Sequence, residues 1–540
     1  MTVFESKINV SSESYLTNRS EMFELIEKMN SLLKRAEDLS EKRKPRFLER
    51  NQLTPRDRLM HILDAGMPFM ELGNMGGYLL DVEDRDKSVP GASIIIGIGF
   101  INGVRCMIIV DDSGIKAGAI TEGSGAKLAR AQDIALQQKL PFIHLVESAG
   151  ADLSRYHVEN WLNFGRLFGN LAKLSAAGIP TIAILHGAST AGGAYMTGMS
   201  DYVVAVKDRG RAFLAGQALL KAATGEETDE EELGGAKMHA SVSGLVEYLA
   251  EDDLSGLLIA RDIIDRLDWN KRSSVHKSAN FSEPIYNPDE IAGIVPLNYR
   301  KFYDVREVIA RIVDGSEFDD FKPFYGEETL CIQAKVHGKS CGILANNGAI
   351  DNDGATKASQ FMQLCDQADI PLVFLQNITG FMVGREHEQG GMIKNGSKMI
   401  QAVSNVRVPR ITFMIGASFG AGNYGMSGYG YDPAFLFSWP NIQIGVMGGE
   451  QAAKTMTIVM EAAAERRNQQ IDKKIIEQQS KNIIEHFDKQ SDAFYTSGLS
   501  MDDGLIDPRE TRKVLAFSID TCLEGKNRSL QPNSFGVARL

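Results

Sequence analysis

The stretch AAGIPTIAILHGASTAGGAY (Ala176–Tyr195) returns 229 residues later as NVRVPRITFMIGASFGAGNY (Asn405–Tyr424). Two more blocks repeat in the same order. LPFIHLVESAG (Leu140–Gly150) is echoed by IPLVFLQNITG (Ile370–Gly380), and FINGVRCMIIVDDSG (Phe100–Gly114) by KVHGKSCGILANNG (Lys335–Gly348), which pairs Cys106 with Cys341. Three ordered echoes at nearly one shift are the mark of a duplication.

Within each copy, continuous β-branched and aromatic runs read as strands buried on both faces. They are Phe142–Val146 and Thr181–Leu185 in the first copy, and Leu372–Leu375 and Ile411–Ile415 in the second. Helix-length stretches, Trp161–Ala177 and Met392–Asn405, lie between them. Strand, helix, strand predicts parallel βαβ units with right-handed crossovers. The second strand of each is expected to end in a glycine-rich turn that opens a helix. The fold class is therefore α/β, with two homologous domains in tandem.

Outside the repeats, 12–50 has the charges and spaced leucines of surface helices, and SVHKSANFSEPIYNPDE (Ser274–Glu290), polar with two prolines, reads as a linker. The expected division is a helical extension over 1–45, a first domain over 46–280 and a second over 281–540. Ile471, Ile475, Ile476, Ile483, Ile484 and Phe487 form a helical stripe expected to serve core or subunit packing.

Composition narrows the function classes. A chain of 540 residues exceeds one ordinary core. Its 43% hydrophobic and 24% charged residues are those of a globular protein. The formal charge of −12 argues against a dedicated nucleic-acid binder. No apolar run reaches the ~18 residues of a membrane span. The five cysteines, Cys106, Cys331, Cys341, Cys365 and Cys522, form no CxxC pair, so buried thiols are expected in place of disulfides or a zinc ribbon. The opening MTVFESKINVSSESY has no apolar core and an early acid. It resembles neither a secretory signal nor an Arg-rich transit peptide. The expected location is the cytoplasm, or the mitochondrial matrix if a presequence has been removed.

The 52 glycines, about a tenth of the chain against a usual ~7%, gather at the repeated turns. In Thr190-Ala191-Gly192-Gly193-Ala194-Tyr195, a glycine pair after a buried strand lets a ligand approach the backbone with no Cβ in the way. The first N–H groups of a helix have no internal partner, and its dipole favours negative charge. Two such donors aimed at one point make an oxyanion hole. Phe419-Gly420-Ala421-Gly422-Asn423 is the counterpart, pairing Gly192 with Ala421 and Gly193 with Gly422. Neither turn reads as a phosphate loop, since GxxxxGK[ST] is missing and no GxGxxG with a downstream acid opens the first βα unit. Glu147 and Asp201, near the first turn, read as structural acids. His186 and His239 lack HExxH spacing, and no metal site is expected. Without an acid–base side chain in view, an enzyme built on these turns is expected to use backbone donors for catalysis and a bound cofactor as the base.

Several further phrases resemble one family. They are FLAGQALLKAATGEE (Phe213–Glu227), ELGGAKMH (Glu232–His239), GIVP (Gly293–Pro296), DVREVIARIVDGSEFDDFK (Asp304–Lys322), FLQNITGFMVG (Phe374–Gly384), FGAGNYGM (Phe419–Met426) and VMGGEQAA (Val446–Ala453). From about Arg46 to the terminal FGVARL, the chain is similar to the carboxyltransferase β subunits of biotin-dependent acyl-CoA carboxylases. The resemblance implies two crotonase-like (ClpP/crotonase) domains, the first holding acyl-CoA and the second carboxybiotin. The active site would form between the first domain of one subunit and the second of a dimer partner.

The chemistry so implied begins with loss of a proton from the acyl thioester, and the resulting enolate takes up the carboxyl group. The ureido nitrogen of biotin is the implied base. By motif position, the Gly192 and Gly193 amides would hold the thioester oxyanion and those of Ala421 and Gly422 the ureido oxygen. Gly150, Ala151, Gly169, Thr190 and Ala191 are the implied acyl-CoA contacts, and Gly380, Phe381, Phe419 and Gly420 the implied biotin contacts. The second turn often has two small residues in the family, and alanine still donates its N–H. No Met-Lys-Met biotinylation triplet occurs, because Ala236-Lys237-Met238 lacks the first methionine. Biotin and ATP chemistry are thus expected on a partner α subunit, with six β subunits in an α6β6 complex.

For the acyl group, FLQNITGFMVG and FGAGNYGM resemble the methylcrotonyl-CoA and geranyl-CoA carboxylases more than the propionyl-CoA enzymes. Gly169, in RLFGN (Arg166–Asn170), stands where a bulky aromatic is expected in methylcrotonyl members. This favours a geranyl-like or longer branched acyl group, unless Trp161 or Phe164 fills the space; Tyr156 is another candidate for the pocket wall. The rival readings are a biotin-dependent decarboxylase subunit, a crotonase-type hydratase or isomerase, and a non-catalytic scaffold for biotin subunits.

Overall fold

The computed structural model describes residues 1–80, 82–273, 280–467, 473–533 and 536–537. The chain starts on a two-residue strand, β1 (Thr2–Val3), that joins the sheet of the second half. The first half builds β2 (Met70–Leu72), β3 (Ile94–Ile101), β4 (Val104–Asp111), β5 (Phe142–Ser148), β6 (Thr181–Thr190), β7 (Tyr202–Val206), β8 (Arg211–Phe213) and β9 (Tyr248–Ala250). They form an eight-stranded sheet in the order β2-β3-β4-β5-β6-β7-β9, with β8 beside β6. The second half supplies β10 (Glu317–Asp320), β11 (Thr329–Val336), β12 (Lys339–Asn346), β13 (Leu372–Ile378), β14 (Arg410–Phe419), β15 (Phe435–Ser438) and β16 (Gln443–Gly445). Its order is β1-β10-β11-β12-β13-β14-β15, with β16 beside β14.

The four expected strands are present and parallel to their neighbours. The sheets are nevertheless mixed, because β3 and β4, and likewise β11 and β12, are antiparallel hairpins. Asn102-Gly103 and His337-Gly338 make the turns, all four residues at positive φ (49°, 72°, 48° and 75°). Two-residue connections of this kind join antiparallel strands and have no length for a crossover.

The strands leading into the glycine turns run longer than their apolar cores, because each changes neighbour part-way. In β6, Ile182–Leu185 pair with β7 and Ala188–Thr190 with β8. In β14, Ile411–Met414 pair with β15 and Ala417–Phe419 with β16. Small residues, Gly187-Ala188-Ser189 and Gly416-Ala417-Ser418, occupy the changeover. A register shift also falls at one place in each copy, between Val146 and Ser148 and between Gln376 and Ile378. Such bulges re-aim a side chain. Here they turn Glu147 and Asn377 over Gly187 and Gly416, where any Cβ would strike the carboxyl or amide group.

The compact units cut the chain differently from the expected boundaries at 45/46 and 280/281. The first unit comprises Asn30–His276, Gly498–Ser500 and Asp520–Leu540; the second comprises Met1–Met29, Lys277–Ser497 and Met501–Ile519. The expected surface helices are one long helix, Glu13–Glu41, and a short one, Lys44–Glu49. The long helix buries Tyr15, Met22, Ile26, Met29, Leu32 and Ala36, while Leu16 is exposed. The Tyr15 ring lies where a Cβ on Gly293 would be, which requires glycine there.

Of the expected linker, Ser274–Ala279 lie outside the described residues. The remainder is tethered: Ile285 N–H donates to Ser316 Oγ at 2.9 Å, Tyr286 Oη to the Phe4 carbonyl at 2.8 Å, and Arg512 pairs with Glu283 at 3.1 Å. Of the isoleucine stripe, Ile471 is outside the described residues. In the helix Lys473–Ser491, Ile476, Ile483, Ile484 and Phe487 are half-buried and Ile475 is exposed. All five cysteines are buried free thiols. No helix among the described residues is long and apolar enough to cross a membrane.

Candidate active site

In the first unit, β6 delivers the chain to Ala191 at φ 53°, ψ −114°, a backbone state costly for any residue with a Cβ. The turn is fixed by Ala191 N–H, which donates to the Phe213 carbonyl on β8 at 3.0 Å. Among the described residues, neither the Gly192 nor the Gly193 N–H donates to a protein acceptor. The helix that follows, Gly192–Gly198, is only seven residues long. A dipole contribution is therefore small, and the strained turn aims the donors. Ala194, just beyond it, packs in a core cluster with Val146, Leu185, Val203 and Ala212.

The second unit repeats this arrangement. Gly420 lies at φ 58°, ψ −150°, and its N–H donates to the Gly445 carbonyl on β16 at 2.9 Å. Ala421 and Gly422 then begin a five-residue helix, Ala421–Gly425, and neither donates its N–H to a protein acceptor among the described residues. A Cβ on Gly422 would sit 2.6 Å from Ile378 Cγ1 and 3.1 Å from Gly380 Cα.

The flanking site residues also correspond. Ile120 N–H donates to the Gly150 carbonyl at 2.7 Å, and Ile120 bridges Ala151 in parallel. Ile350 does the same to Gly380, at 3.1 Å, and bridges Phe381. Gly150 (φ 84°) lies against the Thr190 carbonyl, and Gly380 (φ 127°) faces that of Phe419. Each unit thus brings its expected residues, Gly169 apart, to one turn. The Phe419 side chain is buried against Tyr299, with ring centroids 5.1 Å apart, beside a cavity of about 770 Å³ that Asn423 and Val446 also line.

Gly169 lies on the helix Val158–Ala176, and a Cβ there would meet nothing within 4 Å. Neither expected substitute fills that place. Phe164 packs where Gly125 would carry a side chain, and Trp161 is 62% exposed. Tyr156 is likewise exposed. Phe168, which sequence reasoning did not single out, comes within 3.4 Å of the Cβ position of Gly192 and meets Tyr195 edge-on.

The expected bystanders prove structural. Asp201 accepts from Ser175 Oγ (2.5 Å) and Thr181 N–H (2.9 Å). His239 spends both ring nitrogens on Ser243 Oγ and the Ala212 carbonyl. Glu147 pairs at 2.5 Å with Arg58, a guanidinium 1% exposed that also lies 3.4 Å from Asp253. Asp253 in turn meets His186 Nδ1 at 2.7 Å. Burial, together with Arg58, pushes the His186 pKa down. Burial raises the Asp253 carboxyl, but His186, Arg58 and the Leu53 N–H outweigh it and hold the pKa below the usual range.

A recess of about 560 Å³ opens beside this cluster, lined by Arg43, Arg46, Arg50, Lys116, Arg209 and Arg211. Glu147, Ser148 and Ala149 form part of its wall. Ser148 Cβ is also 3.8 Å from the Cβ position of Gly193, so the recess borders the first turn. Scattered over three segments, these cations show no motif in the sequence.

Residues 47–536 match the carboxyl transferase domain family. The chain is 46% identical over 501 residues to a probable biotin-dependent acyl-coenzyme A carboxylase beta2 subunit of Mycobacterium tuberculosis, covering 92% of this chain and 93% of that one. It is 43% identical over 535 residues to the mitochondrial methylcrotonoyl-CoA carboxylase beta chain of Dictyostelium discoideum, covering 97% and 90%. The crystal structure of the beta subunit of P. aeruginosa geranyl-CoA carboxylase superposes with a TM-score of 0.93 at 45% identity, covering 100% of both chains. Its fold is thus crotonase-like, doubled. With a family match spanning nearly its whole length, the chain belongs to the carboxyltransferase β subunits of biotin-dependent acyl-CoA carboxylases.

Proposed function

We propose that the chain carboxylates a branched enoyl-CoA of the geranyl-CoA class, with 3-methylcrotonyl-CoA the second choice. The observation that carries the choice is the empty Cβ position of Gly169, one residue from the ring that abuts Gly192. An aromatic ring at 169 would take space that several more acyl carbons can occupy. The likeness to the geranyl-CoA enzyme's beta subunit supports the same reading.

In this reading the Gly192 and Gly193 N–H groups receive the thioester oxygen as negative charge develops on it. They need no reorganisation, because Ala191 is fixed to β8 beforehand. The Ala421 and Gly422 donors, with no protein acceptor of their own, fit the ureido oxygen of biotin. Gly380, Phe381, Phe419 and Gly420 build the wall around them. Bound carboxybiotin, carried on a partner α subunit, supplies both the carboxyl group and a basic nitrogen. The arginines of the recess beside Gly193 hold the phosphates of coenzyme A. The working assembly is six such chains with six α subunits, in the cytoplasm or a mitochondrial matrix.

The test is bicarbonate fixation by the complex with its native α subunit, across propionyl-, methylcrotonyl- and geranyl-CoA. Geranyl-CoA is expected to have the highest kcat/KM, and a preference for propionyl-CoA overturns the choice. Gly169→Phe is expected to lower kcat/KM for geranyl-CoA by about ten- to a hundredfold, the scale of a lost hydrophobic pocket, while sparing methylcrotonyl-CoA. Arg46→Ala with Arg50→Ala is expected to raise the KM for acyl-CoA about tenfold with little change in kcat. Kinetics with a thioester lacking the coenzyme A phosphates locate that loss: the double variant and its parent should use it equally.

A further inference from the structure

The two glycine turns match in backbone but not in what lies beneath them. Under the second turn, Ser418 Oγ donates to Gln376 Oε1 at 2.6 Å, and Asn423 Nδ2 donates to Ser418 Oγ at 2.8 Å. Gln376 Nε2 donates to the Met426 carbonyl at 2.8 Å, the far end of the Ala421–Gly425 turn. Gln376 and Ser418 are both 0% exposed. The ring of bonds therefore joins β13, β14 and both ends of the donor turn. Gly428 is bare where any Cβ would run into the Asn423 amide, and its N–H donates to the Asn423 carbonyl at 2.9 Å. The counterparts in the first unit are Val146, Ser189 and Ala194. There the Ser189 hydroxyl is buried without a partner among the described residues, and Ala194 makes apolar contacts where Asn423 has a side-chain amide.

We propose that Gln376, Ser418 and Asn423 are positioning residues for the second turn, fixing the aim of the Ala421 and Gly422 N–H groups at the biotin ureido oxygen. The inference rests on the reading above that these amides serve the biotin side. Asn423 directly follows Gly422, so a shift of its side chain moves the Gly422 Cα and, through it, the preceding peptide that carries the donor. A side-chain network anchored on the buried Gln376 and Ser418 specifies one arrangement, whereas packing alone tolerates several. A misplacement of about 1 Å at a reacting centre can cost roughly a hundredfold in rate.

The measurement is carboxyl transfer by the full chain from a carboxylated acyl-CoA to free biotin, which varies the two substrates separately. Asn423→Ala and Ser418→Ala are expected to lower kcat roughly ten- to a hundredfold and raise the KM for biotin, leaving that for the acyl-CoA within about twofold. Gln376→Glu supplies a readout that mere support of the fold does not move. A protonated glutamate can accept from Ser418 and still donate to the Met426 carbonyl; an ionised one can only accept. Burial raises such a carboxyl's pKa, so activity relative to the parent at the same pH should recover below it and fall as pH rises. Ser189→Ala, which breaks no bond, should leave the biotin KM unchanged. Folding is checked by thermal melting, and if Asn423→Ala does not fold, Ser418→Ala and the Gln376→Glu pH profile decide. Parental kinetics in folded variants, or a change in the acyl-CoA KM alone, overturn the inference. Ala421→Pro separates the two levels: if it is inactive while Asn423→Ala is normal, only the positioning role fails. If both are active, the assignment of the turn itself fails.

Discussion

Gly193→Pro and Gly422→Pro are each expected to abolish carboxyl transfer while ATP-dependent carboxylation of biotin on the partner subunit survives. Proline deletes the N–H, and one lost oxyanion donor alone costs on the order of 10² to 10³ in rate. The helices themselves lose nothing, because these are first-turn N–H groups without an internal acceptor, where proline is tolerated. Space is tighter. A Cβ at 193 would lie 2.8 Å from Ser189 Oγ and one at 422 only 2.6 Å from Ile378, and overpacking of this kind costs roughly 1–3 kcal/mol. Gly192→Pro and Ala421→Pro, at the first helical position, are the gentler versions and should be equally inactive. Normal transfer in any of the four, once shown to be folded, would falsify the model of two backbone traps.

Arg58→Met is expected to destabilise the first unit by about 3–5 kcal/mol, the usual result of stripping one partner from a buried ion cluster. Glu147 and Asp253 each lose their buried guanidinium partner, and His186 stays beside Asp253. Denaturant unfolding followed by tryptophan fluorescence measures the loss, and a change below about 1 kcal/mol would show the cluster to be dispensable. The cluster's own contribution to the pH dependence has a definite sign. His186 has a depressed pKa in the fold, so below its ordinary value the unfolded chain binds the extra proton and stability falls. Asp253, also depressed, adds a second loss as pH drops further through the carboxylate range. Both act on acidification, and alkaline conditions up to the cysteine range leave them intact.

The doubling, the strands and the two turns were legible because they rest on local, periodic chemistry. Continuous apolar runs mark strands wherever they lie, and glycine pairs mark turns whatever surrounds them. The antiparallel hairpins were also written, in Asn102-Gly103 and His337-Gly338, but the strand–helix–strand rhythm around them drew the reading towards parallel pairing. Ala191 could not be foreseen as the strained residue, since alanine carries no sign of a positive φ. Arg58, Asp253 and His186 lie far apart in the chain, and only the folded sheet brings them to Glu147. The same holds for Gln376, Ser418 and Asn423, each an ordinary polar residue until its partners are known. The N-terminal helix reads as a surface element because its charges and spaced leucines mask a buried seam of Tyr15, Met22, Ile26, Met29, Leu32 and Ala36.

Because both copies of the repeat lie on one polypeptide, every molecule synthesised carries the two donor turns in a one-to-one ratio. Two separate genes would leave that stoichiometry to the accidents of expression. Fusion also freed each copy to specialise: one could keep its unbonded serine while the other acquired an amide network, with neither required to do the other's work.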